Sequence, residues 1–210
     1  MVNYFKPKAA KKQLNQVISV EINTLDINGD GVARLGKKPV FISGALPGEK
    51  VEAKIIEEKS KYLRAKAIKV HNLADSRVTP KCRHFYQCGG CDLQHMSDDS
   101  QIEYKQHKVT TLFSRNAQLD ELPWQPPLIS ERWHYRRKAR IGVQYNKMHQ
   151  AIVGFRQKGS NVLTQIKSCQ LLPEIFENEF PAFTDLLNSL SSHRAISHIE
   201  VIDAERPVVI

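Results

Sequence analysis

The stretch Lys81–His95, KCRHFYQCGGCDLQH, decides how this chain is organised. It contains three of the four cysteines of the sequence, and the fourth lies far downstream in IKSCQLL; the four are Cys82, Cys88, Cys91 and Cys169. Gly89 and Gly90 separate two of them and allow a tight backbone path in which N–H groups approach sulfur. The spacing predicts one four-thiolate site that ties a later segment of the chain to the cysteine loop.

Two inorganic groups suit such a site. A [4Fe–4S] cluster takes four thiolates at uneven spacing, whereas structural Zn²⁺ typically takes two closely spaced pairs. Three clustered cysteines plus a remote one favour the cluster, and spacing alone leaves zinc open. Four unligated thiols are less favoured, and so is a redox pair at Cys88 and Cys91, because no good strand precedes it. We expect His84 and His95 to be neighbours of the site or surface residues, not ligands.

Composition and charge indicate the cellular setting. The 210 residues suffice for one large or two small domains, and no apolar run is long enough to cross a membrane. The N-terminal lysines are followed by no apolar segment of a secretory signal, so we expect a reducing cytoplasm, where cysteines more often bind metals than form disulfides. The net charge of +9 predicts a polyanionic partner, with nucleic acid favoured over an anionic membrane surface.

The first third of the chain predicts a barrel. Residues 1–15 read as a basic arm with Lys6, Lys8, Lys11 and Lys12, and residues 16–73 show five short strands separated by turn signals such as NGDG at 28–31. This pattern is typical of an OB-like β-barrel. Exposed lysines are common on any barrel, so its basic residues favour RNA binding only modestly; the candidates are Arg34, Lys61 and Arg64.

Residues 74–210 predict a second domain, and the whole chain is expected to be mainly β with an α+β remainder. A helix capped by Ser97 should bury an apolar stripe, and a proline-rich linker follows it. The sequence then predicts a β-hairpin turning at 146–150, a strand ending at Cys169, a helix from Pro173 that Pro181 interrupts, and a last strand. The predicted stripe is Ile102, Val109, Leu112 and Phe113, and the later apolar face is Phe183, Leu186, Leu187 and Leu190.

The stretch Arg132–Arg140, RWHYRRKAR, is the most cationic in the chain. Arginine forks match phosphate geometry and aromatic rings stack on unpaired bases, so it predicts an RNA-binding surface. Strand alternation would place Arg136, Lys138 and Arg140 on one face. Trp133 is as well explained by a core position as by binding. The candidate RNA contacts here and on the returning strand are Arg132, Tyr135, Arg136, Arg137, Lys138, Arg140, Phe155, Arg156 and Lys158.

These motifs resemble the N-terminal half of the bacterial 23S rRNA (uracil-5-)-methyltransferases that contain an iron–sulfur cluster. CRHFYQCGGCDLQH is similar to the cluster motif of that family, HYRRKARIGV, GFRQKGS and CQLL to its central domain, and residues 16–70 to a TRAM domain, an RNA-binding module. The resemblance implies that Cys82, Cys88, Cys91 and Cys169 bind [4Fe–4S] and that 23S rRNA is the partner of a monomeric protein.

The resemblance also implies chemistry that these residues do not supply. In the family a further domain binds S-adenosylmethionine, and a cysteine thiolate attacks C6 of uracil before methyl transfer to C5. All four cysteines here are assigned to the cluster and no glycine-rich cofactor loop is evident, so we expect an incomplete, inactive part of such an enzyme. Two alternatives stay open: a free-standing RNA-binding iron–sulfur module without catalysis, or a zinc-stabilised nucleic-acid-binding protein. The cluster is expected to act as a structural staple that positions the arginine hairpin against the barrel.

Overall fold

The computed structural model describes residues 13–191 and 195–210, so the four lysines of the predicted basic arm lie outside the described residues. The fold is mainly β with an α+β remainder, as predicted. It divides into two compact units. Unit 1 comprises the chain up to Val78 together with His95–Lys108, and unit 2 comprises Thr79–Gln94 together with Val109–Ile210. No helix among the described residues is long and apolar enough to cross a membrane.

Unit 1 is built on one curled six-stranded sheet in the order β1-β5-β6-β4-β3-β2. Only Ile22 and Asn23 separate β1 from β2, yet these two strands form the opposite edges of the sheet, so the sheet curls until its edges meet. The predicted OB-like barrel is thus confirmed, with its first strand divided into two. The strands are β1 (Val17–Glu21), β2 (Thr24–Leu25), β3 (Gly31–Leu35), β4 (Lys38–Ser43), β5 (Lys50–Glu58) and β6 (Leu63–Val70).

The interior of this sheet follows the alternation of the sequence. In β5, Val51, Ala53 and Ile55 are fully buried, while Lys50 and Lys54 are exposed. Successive side chains of a strand point to opposite faces, so the alternating apolar residues form one continuous core and leave the charged residues outside. Leu63 and Ala65 of β6 extend the same core.

A buried ion pair lies in unit 1 between Glu49 and Arg77. The Glu49 side chain is fully buried and accepts hydrogen bonds from Arg77 and from the backbone N–H groups of Leu46 (2.8 Å) and Ala74 (3.2 Å). Arg77 also donates to the carbonyl oxygen of Gly44 at 2.9 Å. Burial by itself raises the pKa of Glu49, but these hydrogen bonds outweigh it and hold the pKa below its ordinary value.

The helix α1 (Asp98–Ala117) begins after Ser97, as predicted, but it does not bury the predicted stripe. None of its residues is buried, and Val109, Leu112 and Phe113 are 38–46% exposed. In its first turns the helix contacts β2 and the following turn through Tyr104 and Lys108, which donate to the carbonyl oxygens of Asp26 and Leu25. At about 100° per residue, most of the predicted stripe lies on roughly the opposite side. The hydrogen bonds of Tyr104 and Lys108, and not the apolar stripe, therefore define the side of the helix that packs.

Unit 2 contains a five-stranded sheet in the order β11-β10-β7-β8-β9, all of it antiparallel. The predicted hairpin is confirmed, with its turn at 146–150, although its first strand begins at Lys138 and not at Trp133. The elements are β7 (Lys138–Tyr145), β8 (Ala151–Arg156), β9 (Leu163–Gln165), α2 (Glu174–Glu177), α3 (Phe180–Ser189), β10 (His198–Ile202) and β11 (Val208–Val209).

One face of this second sheet packs on the helices and the other does not. Ile141 and Val201 face the core that α2 and α3 cover with Phe176, Phe180 and Leu187. Pro181 lies at the start of α3, where its missing N–H is harmless. One prediction for this region was wrong: the strand β9 ends at Gln165, well before Cys169. Of the predicted apolar face, Phe183 and Leu187 are buried, whereas Leu186 and Leu190 are 56% and 40% exposed.

Replacing Glu49 with Gln should destabilise unit 1 by about 3 kcal/mol, because Arg77 would be left as a buried charge without its carboxylate. Glu57, which pairs with Lys59 at the surface at 2.8 Å, offers a matched control; Glu57→Gln should leave stability nearly unchanged, because solvent screens the pair. Chemical denaturation of both variants measures the difference. Equal losses in the two variants would contradict a special role for the buried pair.

The lowered pKa of Glu49 also predicts how acid affects unit 1. A carboxyl group that is more acidic in the folded than in the unfolded state stabilises the fold above its unfolded pKa and loses that contribution as pH falls through the folded pKa. Wild-type stability should therefore fall on acidification below the ordinary glutamate pKa of 4.5, and Glu49→Gln should remove much of that pH dependence. Denaturation curves across this pH range test the sign.

Candidate metal centre

The four cysteines line one cavity in unit 2, together with His84, Gln94, Trp133 and Arg136. All four are free thiols; Cys88 is buried and the other three are half-buried. Cys169 reaches the cavity from the turn after β9, while the other three belong to the loop 82–91. The structure therefore brings together the cysteines that the sequence pattern singled out.

The cysteine loop is pinned to the end of β8 by backbone hydrogen bonds. The N–H of Gly89 donates to the carbonyl oxygen of Arg156 at 2.8 Å, and Cys88 forms a β-bridge with Gln157. Within the loop, the N–H groups of Gln87 and Cys88 donate to the carbonyl oxygen of His84 at 3.0 and 2.8 Å. The loop thus has a fixed backbone path, which Gly89 makes possible by its close approach to β8.

A second pair of backbone bonds positions Cys169. The N–H of His134 donates to the carbonyl oxygen of Gln170 and the N–H of Arg136 to that of Leu171, both at 2.9 Å. The N–H of Cys169 itself donates to the carbonyl oxygen of Glu177 at the end of α2. His134 has a φ of 57°, which turns the chain before β7. These bonds hold the segments on either side of the cavity in register.

Hydrogen-bond donors surround three of the sulfurs. The Gly90 N–H donates to Cys88 Sγ at 3.4 Å, and the Gln94 amide donates to Cys91 Sγ at 3.1 Å. The backbone N–H groups of Leu171 and Leu172 act on the Cys169 thiol and favour its ionised form. The Arg136 guanidinium adds a positive charge that acts on the thiols of this cavity, and it also donates to the carbonyl oxygen of Gly90 at 3.4 Å. These groups would stabilise sulfur in its negatively charged form.

Burial opposes that effect in the free thiols. It raises the pKa of Cys88 and of Cys169, and it raises the pKa of Cys91 to about 11, although the donors and Arg136 act in the other direction. Burial also lowers the pKa of His84, with the neighbouring Arg83 charge adding to it. Metal ions bind thiolates and displace the thiol protons, so a metal would supply the positive charge that favours ionised sulfur here.

The residues present fit an inorganic group held by four sulfurs. The donor set consists of four thiols, and three of them already have N–H groups directed at sulfur. A Cβ on Gly90 would lie 3.4 Å from Cys88 Sγ, so the loop is closely wrapped at this point. Among the described residues, no three His, Cys, Asp or Glu side chains are grouped closely enough to hold a single metal ion.

The predicted RNA contacts of unit 2 fall into two groups. Most are exposed, and several form ion pairs: Arg137 with Asp203 at 3.9 Å, and Lys138 and Arg140 with Glu200 at 3.1 and 3.7 Å. Lys158 pairs with Asp92 at 3.0 Å beside the cysteine loop. The exposed residues among them are Tyr135, Arg137, Lys138, Arg140, Arg156 and Lys158, and the half-buried ones are Arg132, Arg136 and Phe155.

Two of the half-buried predicted contacts are Arg136 and Phe155. Arg136 precedes β7, so it does not share the face of Lys138 and Arg140, and its guanidinium faces the cysteine cavity. Phe155 packs against the core of unit 2, with its ring 6.0 Å from that of Phe180. Strand alternation was extended too far toward the N-terminus in the first case. In the second, one side of the Phe155 ring packs on the core and the residue remains half-buried, so its RNA contact stays a prediction.

The predicted contacts of unit 1 are all exposed on the curled sheet. Arg34 lies on β3, Lys61 in the turn before β6, and Arg64 on β6, opposite Phe41 of β4. Arg64 lies 3.9 Å from Asp30 and 3.7 Å from Glu57. Phe41 and Tyr62 contact each other edge to face with ring centroids 5.7 Å apart, which adds an aromatic element to this basic surface.

The sequence did not single out every residue of the cavity. Gln94 donates to Cys91, and Trp133 forms part of the wall with Lys81 and Arg132 near its ring at 5.0 and 5.4 Å. Gln94 lies three residues after Cys91, and an amide so close to a candidate metal-binding cysteine could have indicated its contact with sulfur. Nothing in the sequence showed that Trp133 would face sulfur, because that depends on the turn at His134.

The chain is similar in sequence to known proteins over nearly its whole length. Residues 11–68 match the TRAM domain family. Over 98% of its length the chain is 50% identical to the 23S rRNA (uracil(1939)-C(5))-methyltransferase RlmD of Colwellia psychrerythraea, covering 46% of that protein. It is 40% identical over 94% of its length to the RlmD of Pseudoalteromonas translucida, covering 45% of it. The predicted resemblance is therefore confirmed: the chain contains a TRAM domain and is related in sequence to the 23S rRNA (uracil-C5)-methyltransferases.

The chain spans about half the length of the curated relatives it matches. A solved structure, the Pyrococcus abyssi tRNA (uracil-54, C5)-methyltransferase in complex with S-adenosyl-L-homocysteine, is similar with a TM-score of 0.58 and 19% identity. The match covers 89% of this chain and 43% of that one. At this identity the likeness is one of fold.

Gly89→Ala should destabilise unit 2 by about 1–3 kcal/mol, because the added Cβ would lie 2.9 Å from the carbonyl oxygen of Arg156, where backbone must move. Gly90→Ala is the matched control, since its Cβ would meet no backbone atom and its nearest neighbour is a sulfur at 3.4 Å. Thermal unfolding of the metal-free proteins compares them. If Gly90→Ala loses more stability than Gly89→Ala, the close approach of Gly89 to β8 is not what restricts the residue at this position of the loop.

Proposed function

We propose that this chain is the rRNA-binding, iron–sulfur-containing part of an S-adenosylmethionine-dependent 23S rRNA (uracil-C5)-methyltransferase. The observation that carries the proposal is that four free thiols from separate parts of the chain line one cavity in unit 2. The relatives named above are 23S rRNA (uracil-C5)-methyltransferases, which supports rRNA as the partner and uracil C5 methylation as the activity of the whole protein.

Cys82, Cys88, Cys91 and Cys169 would hold a [4Fe–4S] cluster. When bound, the cluster supplies four iron–sulfur bonds that cross-link the loop 82–91 to the turn at Cys169. The chain contributes N–H donors at Cys88, Cys91 and Cys169 and the positive charge of Arg136. Methylation of uracil at C5 requires no electron transfer at the substrate, so a structural role accounts for these contacts.

RNA binding would use the exposed cations of both units. In unit 2 the residues around β7 supply arginine and lysine side chains, and in unit 1 the sheet surface supplies Arg34, Lys61 and Arg64 beside Phe41 and Tyr62. Phosphate contacts of this kind bind RNA with little sequence preference and position it on the protein. We therefore assign recruitment of rRNA to this chain. We also propose that its two functional domains are residues 16–73 and 74–210.

The methylation step itself would be carried out elsewhere in such an enzyme. Its nucleophilic thiol cannot be one of the four cysteines here, because all four line the metal cavity. We expect the 210-residue chain alone to bind RNA without methylating it.

A free-standing RNA-binding iron–sulfur or zinc module without catalysis is the second candidate. The four-thiol cavity and the cationic surfaces are all contained in the described residues, which supports this candidate.

Each of the four cysteines should be required for cluster assembly. Anaerobically prepared protein should be brown and contain iron and acid-labile sulfide, and Cys88→Ser should lose both and increase hydrogen exchange over residues 80–170. Ser168→Ala, which alters the same cavity without removing a sulfur, should retain them. If the wild-type protein is colourless and contains stoichiometric zinc, the site binds zinc and not an iron–sulfur cluster. If hydrogen exchange is unchanged in Cys88→Ser, the cluster has no structural role.

Affinity for 23S rRNA fragments should fall steeply with salt, because phosphate contacts release bound counterions. Arg137→Ala removes a side chain that is 72% exposed and should reduce the slope of log affinity against log salt by about 1. Lys147→Ala, at the exposed hairpin turn outside the predicted contacts, is the matched control and should leave the slope unchanged. Filter binding over a salt series measures both, and equal slopes for the three proteins would exclude Arg137 as a phosphate contact.

A further inference from the structure

A groove of about 470 Å³ lies on the outer face of the second sheet, on the side that α2 and α3 do not cover. This volume falls within the range of about 300–1,000 Å³ that is typical of small-molecule sites. Its lining comes from β7, β8, β9 and the beginning of β10. It shares only Phe155 with the cysteine cavity, so the two are separate sites.

Gly142 and Leu163 line the groove. Gly142 of β7 pairs directly with Gly154 of β8, and on its other side it pairs with His198 of β10. Ile141 and Val143 face the core, so position 142 faces outward. The side chain of Leu163 packs over this position, because a Cβ on Gly142 would lie 2.8 Å from it. Leu163 therefore supplies the apolar part of the floor.

Two arginines stand at one end of this floor. Arg140 precedes Gly142 by two residues and Arg156 follows Gly154 by two, so in an antiparallel pair both lie on the outer face at the same end. Arg140 is partly compensated by Glu200 at 3.7 Å, whereas Arg156 forms no ion pair within the described residues. The described residues that line the groove include no acidic side chain. Like charges on adjacent strands repel each other, so an anion bound between them would be favoured.

His198 and Ser197 provide polar groups beside the floor. The Ser197 hydroxyl and an Arg140 N–H both lie near His198 Nδ1, at 2.8 and 3.3 Å. Arginine can only donate, so Nδ1 accepts this hydrogen bond and the neutral ring carries its proton on Nε2. His198 thus offers an N–H donor of defined identity at the groove, suited to a carbonyl oxygen.

The groove is held in shape by Gln144. Its amide nitrogen donates to the carbonyl oxygen of Asn161 at 2.7 Å, and its amide oxygen accepts from the N–H of Leu163 at 3.2 Å. One side chain on β7 therefore clamps the start of β9 from both sides. A site preorganised in this way loses less entropy when it binds a ligand.

We propose that this groove binds one unpaired nucleotide of single-stranded RNA. Its phosphate would lie between Arg140 and Arg156, its base face on Leu163, and a carbonyl oxygen of the base at His198. The volume admits a single base but not a base pair in a helix, so the nucleotide must be unstacked. The inference rests on the proposed RNA-binding function and adds a defined subsite and a substrate class to it.

Binding of a short oligouridylate to the 210-residue chain tests the groove. Arg156→Ala should lower affinity for the single strand about tenfold and have a smaller effect on the same sequence in a duplex. Lys167→Ala is the matched control, because it removes an exposed cation of unit 2 that does not line the groove. An oligouridylate carrying one photoreactive thiouridine should cross-link to peptides that contain Leu163 or His198, and the cross-link should be lost in Arg156→Ala.

The outcomes separate this inference from the proposed function. If the chain binds the single strand but Arg156→Ala and Lys167→Ala weaken binding equally, and cross-links fall outside the groove, the subsite is wrong and RNA binding stands. Equal sensitivity of single strand and duplex to Arg156→Ala would also overturn it, because the site would then read phosphate alone. If the wild-type chain binds neither RNA at low salt, the proposed function fails together with the subsite.

Discussion

The hydrogen bonds between the cysteine loop and the end of β8 are the constraint on which the architecture of unit 2 depends. The Gly89 N–H donates to the carbonyl oxygen of Arg156 at 2.8 Å, and this bond fixes Cys88 beside the second sheet. Cys169 lies in the turn that follows β9 of the same sheet. Backbone bonds do not depend on side-chain identity except where space is needed, and here the space comes from a glycine. A metal group would strengthen an arrangement that hydrogen bonds already define.

The second sheet separates two kinds of chemistry by strand alternation. Its inner face is apolar and packs on α2 and α3, and its outer face carries Arg140, Gly142, Arg156 and His198. The cysteine cavity lies where the segment before β7 and the turn after β9 meet. Arg136 therefore faces the thiols, while Arg137 and Lys138 remain at the surface. Neighbouring cations in one short stretch therefore have different roles, and counting charges along the sequence does not distinguish them.

The exposed apolar stripe of α1 shows the limit of periodicity. Val109, Leu112 and Phe113 recur at the spacing of a buried helical face, yet each is more than one-third exposed. The hydrogen bonds of Tyr104 and Lys108 to backbone carbonyl groups hold a different side of the helix against its neighbours. Apolar residues at helical spacing indicate which face could be buried, but packing occurs only where a partner surface is available. Phe155, which was predicted to contact RNA, is half-buried and packs against the core of unit 2.

Elements with local signals could be predicted from the amino-acid sequence. Alternating strands and turn residues define the curled sheet of unit 1, the hairpin turn at 146–150 and the start of α1 after Ser97, because these depend on neighbouring residues alone. Cysteine spacing likewise identified the four thiols as one set. The fold was needed to show that Arg136 faces these thiols, that Phe155 packs against the core, and that Arg140, Arg156 and His198 line one groove. Those outcomes depend on register between distant segments, which no local pattern encodes.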